Sequence, residues 1–376
     1  MSSGLVTSRR NRRTPYTECV ESLGVSGFSI VNHTLLPKSF ARSVEEDYWH
    51  LKEHVQLWDV GCQRQVELRG PDAALLAQKM TPRDLSAMTP GQCYYTPVID
   101  NHAGLLNDPV LLKRASDWFW FSIADSDLLL WAKALALGMN LDVEIREPDV
   151  WPLAVQGPRA EDLVARVFGD DIRSVRYFSF LECDFHSRQL VVARSGYSKQ
   201  GGYEIYLDDS PLGITLWDTL WEAGADLQVA PGCPNLIERI EAGLLSYGNE
   251  MTRENNPLEI NLDRFCHLEG EIDYIGRSAL EAIAAQGPSQ RMRGLLIDGT
   301  PCPPCGKPWP VLVGDIKVGQ VTSAIWSPAF RQNVGLSLID KDHWHPGTPV
   351  TVLLPDGHEL DAVIASLPFT VSSSIP

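Results

Sequence analysis

Leu153-Ala154-Val155-Gln156-Gly157-Pro158-Arg159-Ala160, followed by Leu163, Val164 and Val167, reads as a short apolar strand, a glycine turn and an amphipathic helix entered through proline. The stretch Val66-Glu67-Leu68-Arg69-Gly70-Pro71-Asp72-Ala73, followed by Leu75, Leu76 and Met80, repeats that pattern 87 residues earlier. One such helix start is common. Two of them, each behind a strand, predict an internal duplication of an α+β unit.

The pattern continues outward from these copies. Residues 94–98 and 105–113 read as strands around a turn at 100–104, and 118–123 as an aromatic-rich strand. Asp125 or Ser126 is expected to cap a helix running to Leu137 and ended by Gly138. Strands are expected again at 189–194 and 203–207. Leu236, Ile240, Leu244 and Tyr247 then keep helical spacing as far as Gly248. After about residue 285, short β-rich runs alternate with Pro and Gly turns, as in a small barrel. The expected fold is α+β. A first unit spans 1–150 with a basic N-terminal arm, a second spans 151–285, and a β-barrel domain spans 286–376.

Composition narrows the function. The 376 residues carry a net charge of −16, the wrong sign for a general binder of nucleic acid or anionic membranes. No apolar run is long enough for a transmembrane helix. Arg9, Arg10, Arg12 and Arg13 form a basic arm with no apolar run behind it, so a cytoplasmic protein is expected rather than a secreted one. The arm reads either as loosely docked or as folded back over an anionic ligand or the acidic body. Eight cysteines do not make a disulfide framework, and Cys302-Pro303-Pro304-Cys305 reads as a turn without the second pair a zinc site needs. There is no dinucleotide fingerprint, P-loop, metalloprotease motif or nucleophile elbow, and the histidines are scattered. No metal is expected.

Two places remain for chemistry. The loop Arg194-Ser195-Gly196-Tyr197-Ser198-Lys199-Gln200-Gly201-Gly202 joins two strands and leads into Tyr203-Glu204-Ile205-Tyr206. Its glycines let backbone approach a ligand, and its aromatic can stack on a planar ring. Glu204 and Tyr206 share one strand face. A carboxylate there suits a ring that presents adjacent N–H and amino donors. The same residues also read as a polar hairpin with a solvent-facing Glu. The second place is Leu105-Leu106-Asn107-Asp108-Pro109-Val110, where an acid in an apolar run is either paired and useful or sits at an edge bulge.

These segments resemble the glycine-cleavage T-protein (aminomethyltransferase) family from roughly residue 30 to the end. The resemblance runs in order through Leu57-Trp58-Asp59-Val60, Arg69-Gly70-Pro71-Asp72-Ala73, Asn107-Asp108, Val155-Gln156-Gly157-Pro158 and Gly196-Tyr197. It continues through Gly202-Tyr203-Glu204-Ile205, Arg239-Ile240-Glu241-Ala242-Gly243, Tyr247-Gly248, Gly319-Gln320-Val321-Thr322-Ser323 and Ser327-Pro328. Within the family the chain is most similar to the dimethylsulfoniopropionate demethylases, which have Trp where Tyr197 stands here.

The resemblance implies two partly interleaved α+β units and a barrel around a central folate channel. It implies tetrahydrofolate as cofactor, with Glu204 holding the pterin, assisted by Tyr206 and Tyr197, and Asp108 beside the reacting centre. The partner would be a small-molecule methyl donor, and a homodimer is left open. The expected reaction moves a methyl from a sulfonium to N5 of tetrahydrofolate, which needs positioning and dryness more than a nucleophile. Aromatic faces would hold the cation without over-stabilising the ground state. Tyr95, Trp118 and Trp326 are the residues expected there. Alternatives within the resemblance are an aminomethyltransferase, an N- or O-methyl demethylase acting on betaine-like or methoxylated donors, and a non-enzymatic folate-binding iron–sulfur assembly factor.

Overall fold

In the computed structural model, which describes residues 8–125 and 127–370, the two Gly-Pro segments take equivalent places. Gln65–Arg69 and Trp151–Gln156 are strands followed by the helices Ala73–Lys79 and Ala160–Phe168. Pro71 and Pro158 lie in the turn ahead of each helix, so the helices begin two residues later than the sequence pattern suggests. Both turns need glycine. Gly70 has φ +139° and Gly157 φ +121°, and a Cβ on Gly157 would stand 2.3 Å from the His54 carbonyl oxygen.

The first copy builds a five-stranded sheet in the order Glu144–Arg146, Gln65–Arg69, Trp118–Ser122, Val110–Ala115, Cys93–Tyr95. The second builds a six-stranded sheet in the order Val229–Gly232, Val55–Asp59, Trp151–Gln156, Gly202–Leu207, Arg188–Ala193, Phe180–Phe185. Leaving Val55–Asp59 aside, the two orders correspond strand for strand. The helices Leu128–Met139 and Gly213–Ala223 also follow equivalent strands. Val55–Asp59 precedes the first copy in sequence but pairs inside the second copy's sheet, which interleaves the halves. The duplication read from the sequence is therefore present in the topology.

Alternation decides which face is buried where. Val55, Leu57, Leu153, Val155, Tyr203 and Ile205 point into a core closed by Leu163, Val164, Leu216 and Trp217. The opposite face of the same sheet carries the residues between them, Trp58, Ala154 and Glu204.

Compactness divides the chain into two units. The first holds the chain to Gln78, Leu85–Thr96 and Asn107–Asn235; the second holds Lys79–Asp84, Pro97–Leu106 and the chain from Leu236. The second unit contains the expected barrel. Its closed order is Gln290–Ile297, Gln332–Asp340, Ile316–Ser327, Trp309–Val313, Pro349–Leu353, Glu359–Ala365. Leu295, Ile297, Trp309, Val311, Val321 and Ile339 are among the side chains that fill it.

Three local expectations are corrected. The helix after the aromatic strand runs Leu128–Met139 from Asp127, and it ends at Asn140 in the left-handed region (φ 53°) rather than at Gly138. Asp125 precedes it without capping it, and Ser126 lies outside the described residues. The helix expected through Tyr247 stops after Leu236–Glu241, because Gly243 (φ +66°) turns the chain. The strand expected over 105–113 breaks at Asp108-Pro109 into Leu105–Asn107 and Val110–Ala115. Cys302 and Cys305 lie in a stretch without helix or strand, and both are free thiols.

Two arginines of the arm fold back on acidic groups. Arg12 pairs with Glu147, which also receives Arg64, and Arg13 pairs with Glu21 at 2.5 Å. Deeper in, Thr14 Oγ1 donates to Asp59 Oδ2 at 2.6 Å and the Gly61 N–H donates to Oδ1 at 3.1 Å. Burial pushes the Asp59 carboxyl up to about 7, against these two bonds. The folded state therefore keeps a proton there that the unfolded chain releases near pH 4, and the stability this gives is lost as pH rises toward 7. Asp59→Asn should melt several degrees higher than wild type at pH 8 and close to it at pH 5, by thermal denaturation. Parallel melting of the two proteins at both pH values would contradict a buried, proton-holding Asp59.

Candidate active site

The strand Gly202–Leu207 lies in the interior of the six-stranded sheet, between Arg188–Ala193 and Trp151–Gln156. Its period of two sends Tyr203 and Ile205 into the helix-packed core and leaves Glu204 and Tyr206 on the other face. The cross-strand neighbours of Glu204 are Ala154 and Ala193, and Ala154 in turn faces Trp58. Methyl groups on both sides leave the carboxylate uncrowded within the plane of the sheet. Glu204 is nonetheless only 5% exposed. Ser195 Oγ donates to its Oε2 at 2.5 Å. Burial raises the Glu204 carboxyl above the usual range, and the Ser195 bond works against that rise.

The loop that carries Ser195 is built around Gln156. Gly196 (φ +151°) and Gly202 (φ +147°) lie against the Gln156 amide, and a Cβ on either would approach it to 2.1 or 2.5 Å. Gln156 Nε2 donates to the Ser195 carbonyl at 3.2 Å, and Ser198 Oγ donates to Gln156 Oε1 at 2.8 Å. The folded loop brings the half-buried Tyr197 ring against a cluster of Leu51, Trp58, Val60 and Ala154. That cluster includes Ala154, the alanine that flanks Glu204. Tyr206 is fully buried and packs at 6.2 Å from Trp120, within a cluster that joins the two sheets. Burial and the nearby Glu204 charge hold its phenol well above the usual range.

Asp108 occupies the break between two strands, with each flanking residue fastened. Asn107 donates to the Asp125 carbonyl and accepts from the Ala124 N–H at 3.2 Å. The Pro109 carbonyl accepts from the Thr96 N–H at 2.9 Å and from Thr96 Oγ1 at 3.1 Å. Asp108 itself is 8% exposed, and Tyr95 Oη donates to its Oδ2 at 2.7 Å. Cys93, two residues before Tyr95 on the same strand, shares a cluster with Ala193 and Tyr206, and burial first, then the Glu204 charge, hold its thiol well above the usual range. The Tyr95–Asp108 pair and the Glu204 floor thus belong to neighbouring parts of one unit.

The aromatic expectations divide. Tyr95 stands beside Asp108, and Tyr197 packs on the cluster that contains Ala154, the cross-strand neighbour of Glu204. Trp118 lies at the far end of its strand from Ser122, the residue that pairs with Val110 beside Asp108. That is a run of roughly 13 Å at strand rise. Its indole N–H donates to Glu67 at 2.7 Å, and the guanidiniums of Arg69 and Arg114 cover its ring at 4.8 and 4.3 Å. Trp118 is thus held in a charged cluster of its own. Trp326 is on the barrel strand Ile316–Ser327 of the second unit, opposite Asn333. Ser195, Gln156, Asn107 and Thr96 were not singled out from sequence, although Gln156 and Asn107 stand inside the segments that mark the fold.

The chain matches two family models. The GCVT N-terminal domain matches residues 17–270, and the glycine cleavage T-protein C-terminal barrel domain matches residues 290–370. It is 53% identical to the dimethylsulfoniopropionate demethylase DmdA of Ruegeria pomeroyi, over 94% of this chain and 96% of that one. It is 31% identical to an aminomethyltransferase of Rubrobacter xylanophilus, over 87% of each chain. The crystal structure of the glycine cleavage system aminomethyltransferase T from Bartonella henselae has the same fold, with a TM-score of 0.85 at 23% identity, covering 96% of this chain and 98% of that one. With matching domains over most of its length and a half-identical full-length relative, the chain belongs to the glycine-cleavage T-protein family.

Proposed function

We propose that this protein is a tetrahydrofolate-dependent methyltransferase that demethylates dimethylsulfoniopropionate to methylthiopropionate and forms 5-methyltetrahydrofolate. Identity of 53% to a dimethylsulfoniopropionate demethylase over nearly the whole chain supports the donor. The observation that carries the folate reading is Glu204, a buried carboxylate between two alanines with one hydrogen-bond donor among the described residues. Oxygens so placed suit the adjacent N–H and amino donors of a pterin edge. Tyr197, packed on the cluster that contains Ala154, is the flat face offered to the ring.

The bond from the methyl to sulfur breaks as one to N5 of tetrahydrofolate forms, sulfur leaves as a neutral thioether, and the nitrogen sheds a proton. Asp108 is the group for that proton. It is buried, so water competes poorly, and it is fastened through Asn107 and Pro109. Tyr95 occupies Oδ2 and tempers the carboxylate charge. That matters because an unshielded anion against the sulfonium would stabilise the ground state more than the transition state, in which positive charge is leaving sulfur. The Tyr95 ring itself can face the cation.

This reading carries a cytoplasmic location and a homodimer as further expectations. Among the described residues no helix is long and apolar enough to cross a membrane. Leu130 and Leu137 of the Leu128–Met139 helix are exposed and would give a second copy an apolar contact.

Asp108→Asn should lower kcat by about a hundredfold or more, the scale of a lost general base, while tetrahydrofolate affinity changes by less than about threefold. Equal losses in both would contradict the role given to Asp108. Glu204→Ala should instead weaken tetrahydrofolate binding by about 2 kcal/mol, the scale of hydrogen bonds to a charged group, as read by calorimetric titration. Unchanged affinity would remove Glu204 from the folate site.

A further inference from the structure

Ser195 is 3% exposed, and its placement does not depend on the carboxylate it serves. Its N–H donates to the Ala193 carbonyl at 3.0 Å, and its own carbonyl accepts from Gln156 at 3.2 Å. Gly196 follows in a backbone conformation that brings the Gln156 amide into the space a Cβ would take. The hydroxyl is therefore held at Glu204 Oε2 by the sheet floor before any ligand arrives.

We infer that Ser195 is a positioning residue for folate, keeping Glu204 ionised and in one orientation so that the carboxylate accepts the paired ring donors. The inference rests on the folate reading of Glu204. Burial drives a carboxylate toward its neutral form, and a neutral carboxyl carries an O–H of its own. That O–H would meet the ring's N–H groups donor to donor. Among the described residues no Arg, Lys or His pairs with Glu204, so no cation keeps it ionised. A hydroxyl favours the ionised form by one hydrogen bond without neutralising it. A cation in the same place would compete with the ring donors for the oxygens.

The test is tetrahydrofolate affinity of the intact enzyme from pH 6.0 to 8.5, with 5-methyltetrahydrofolate formation recorded in parallel. Wild type and Ser195→Thr should keep a nearly flat dependence. Ser195→Ala should bind about threefold more weakly at pH 8.5 and about thirtyfold more weakly at pH 6.0, the difference expected from losing one hydrogen bond to a charged group. Ser195→Cys, with its weak donor, should fall between them, and it serves in place of Ser195→Ala should the alanine protein not fold. A loss in Ser195→Ala that is the same at every pH, or no loss at all, would overturn the inference. Glu204→Gln separates the two readings. If it binds tetrahydrofolate like wild type, the folate assignment of Glu204 itself fails. If it loses affinity while Ser195→Ala keeps a flat pH dependence, only the role of Ser195 fails.

Discussion

The structure depends on how a carboxylate is held in the middle of a β-sheet. Glu204 is almost fully buried, yet Ser195 is the one group among the described residues that donates to it. A buried charge so thinly paired lowers stability, and protein interiors normally place a cation or several N–H groups against it. The flanking alanines and the Gln156-anchored loop show that the thin pairing is built in. Close approach of that loop is possible because positions 196 and 202 lack side chains. The loop, the strand period and the small neighbours all serve one buried edge of hydrogen-bond acceptors.

The duplicated scaffold explains why that edge is rigid. Each copy delivers a strand, a glycine turn and a helix, and the corresponding strands adopt the same order. Val55–Asp59 pairs with Trp151–Gln156 on the side away from Gly202–Leu207, so Trp151–Gln156 is an interior strand, paired on both sides. Glu204 and its neighbours thus stand in the middle of a sheet whose other face is closed by helices. Asp108 is treated differently. It sits where proline interrupts a strand, so its rigidity comes from side-chain bonds of Asn107 and Thr96 rather than from a ladder.

Much of this was legible in the sequence because it is local. The Gly-Pro helix starts, the β-rich tail and the alternation placing Glu204 with Tyr206 depend on residues close together in the chain. The entry of Val55–Asp59 into the second sheet was not legible, since that pairing joins segments nearly a hundred residues apart and leaves no local mark. Helix ends moved by a few residues because Asn140 and Gly243 take left-handed conformations that other neighbours could equally have supplied. Trp118 shows the limit of reading aromatics one at a time. Its ring looks available in the sequence, but the fold covers it with two guanidiniums drawn from the two strands that flank its own.

Transfer of a methyl from a sulfonium to folate is read from its two products by mass spectrometry. The purified protein would be mixed with tetrahydrofolate and, in separate reactions, dimethylsulfoniopropionate, glycine betaine and dimethylglycine. The first donor should yield 5-methyltetrahydrofolate and methylthiopropionate in equal amounts, and the others none. Folate methylated from a betaine instead, or folate bound but never methylated, would contradict it.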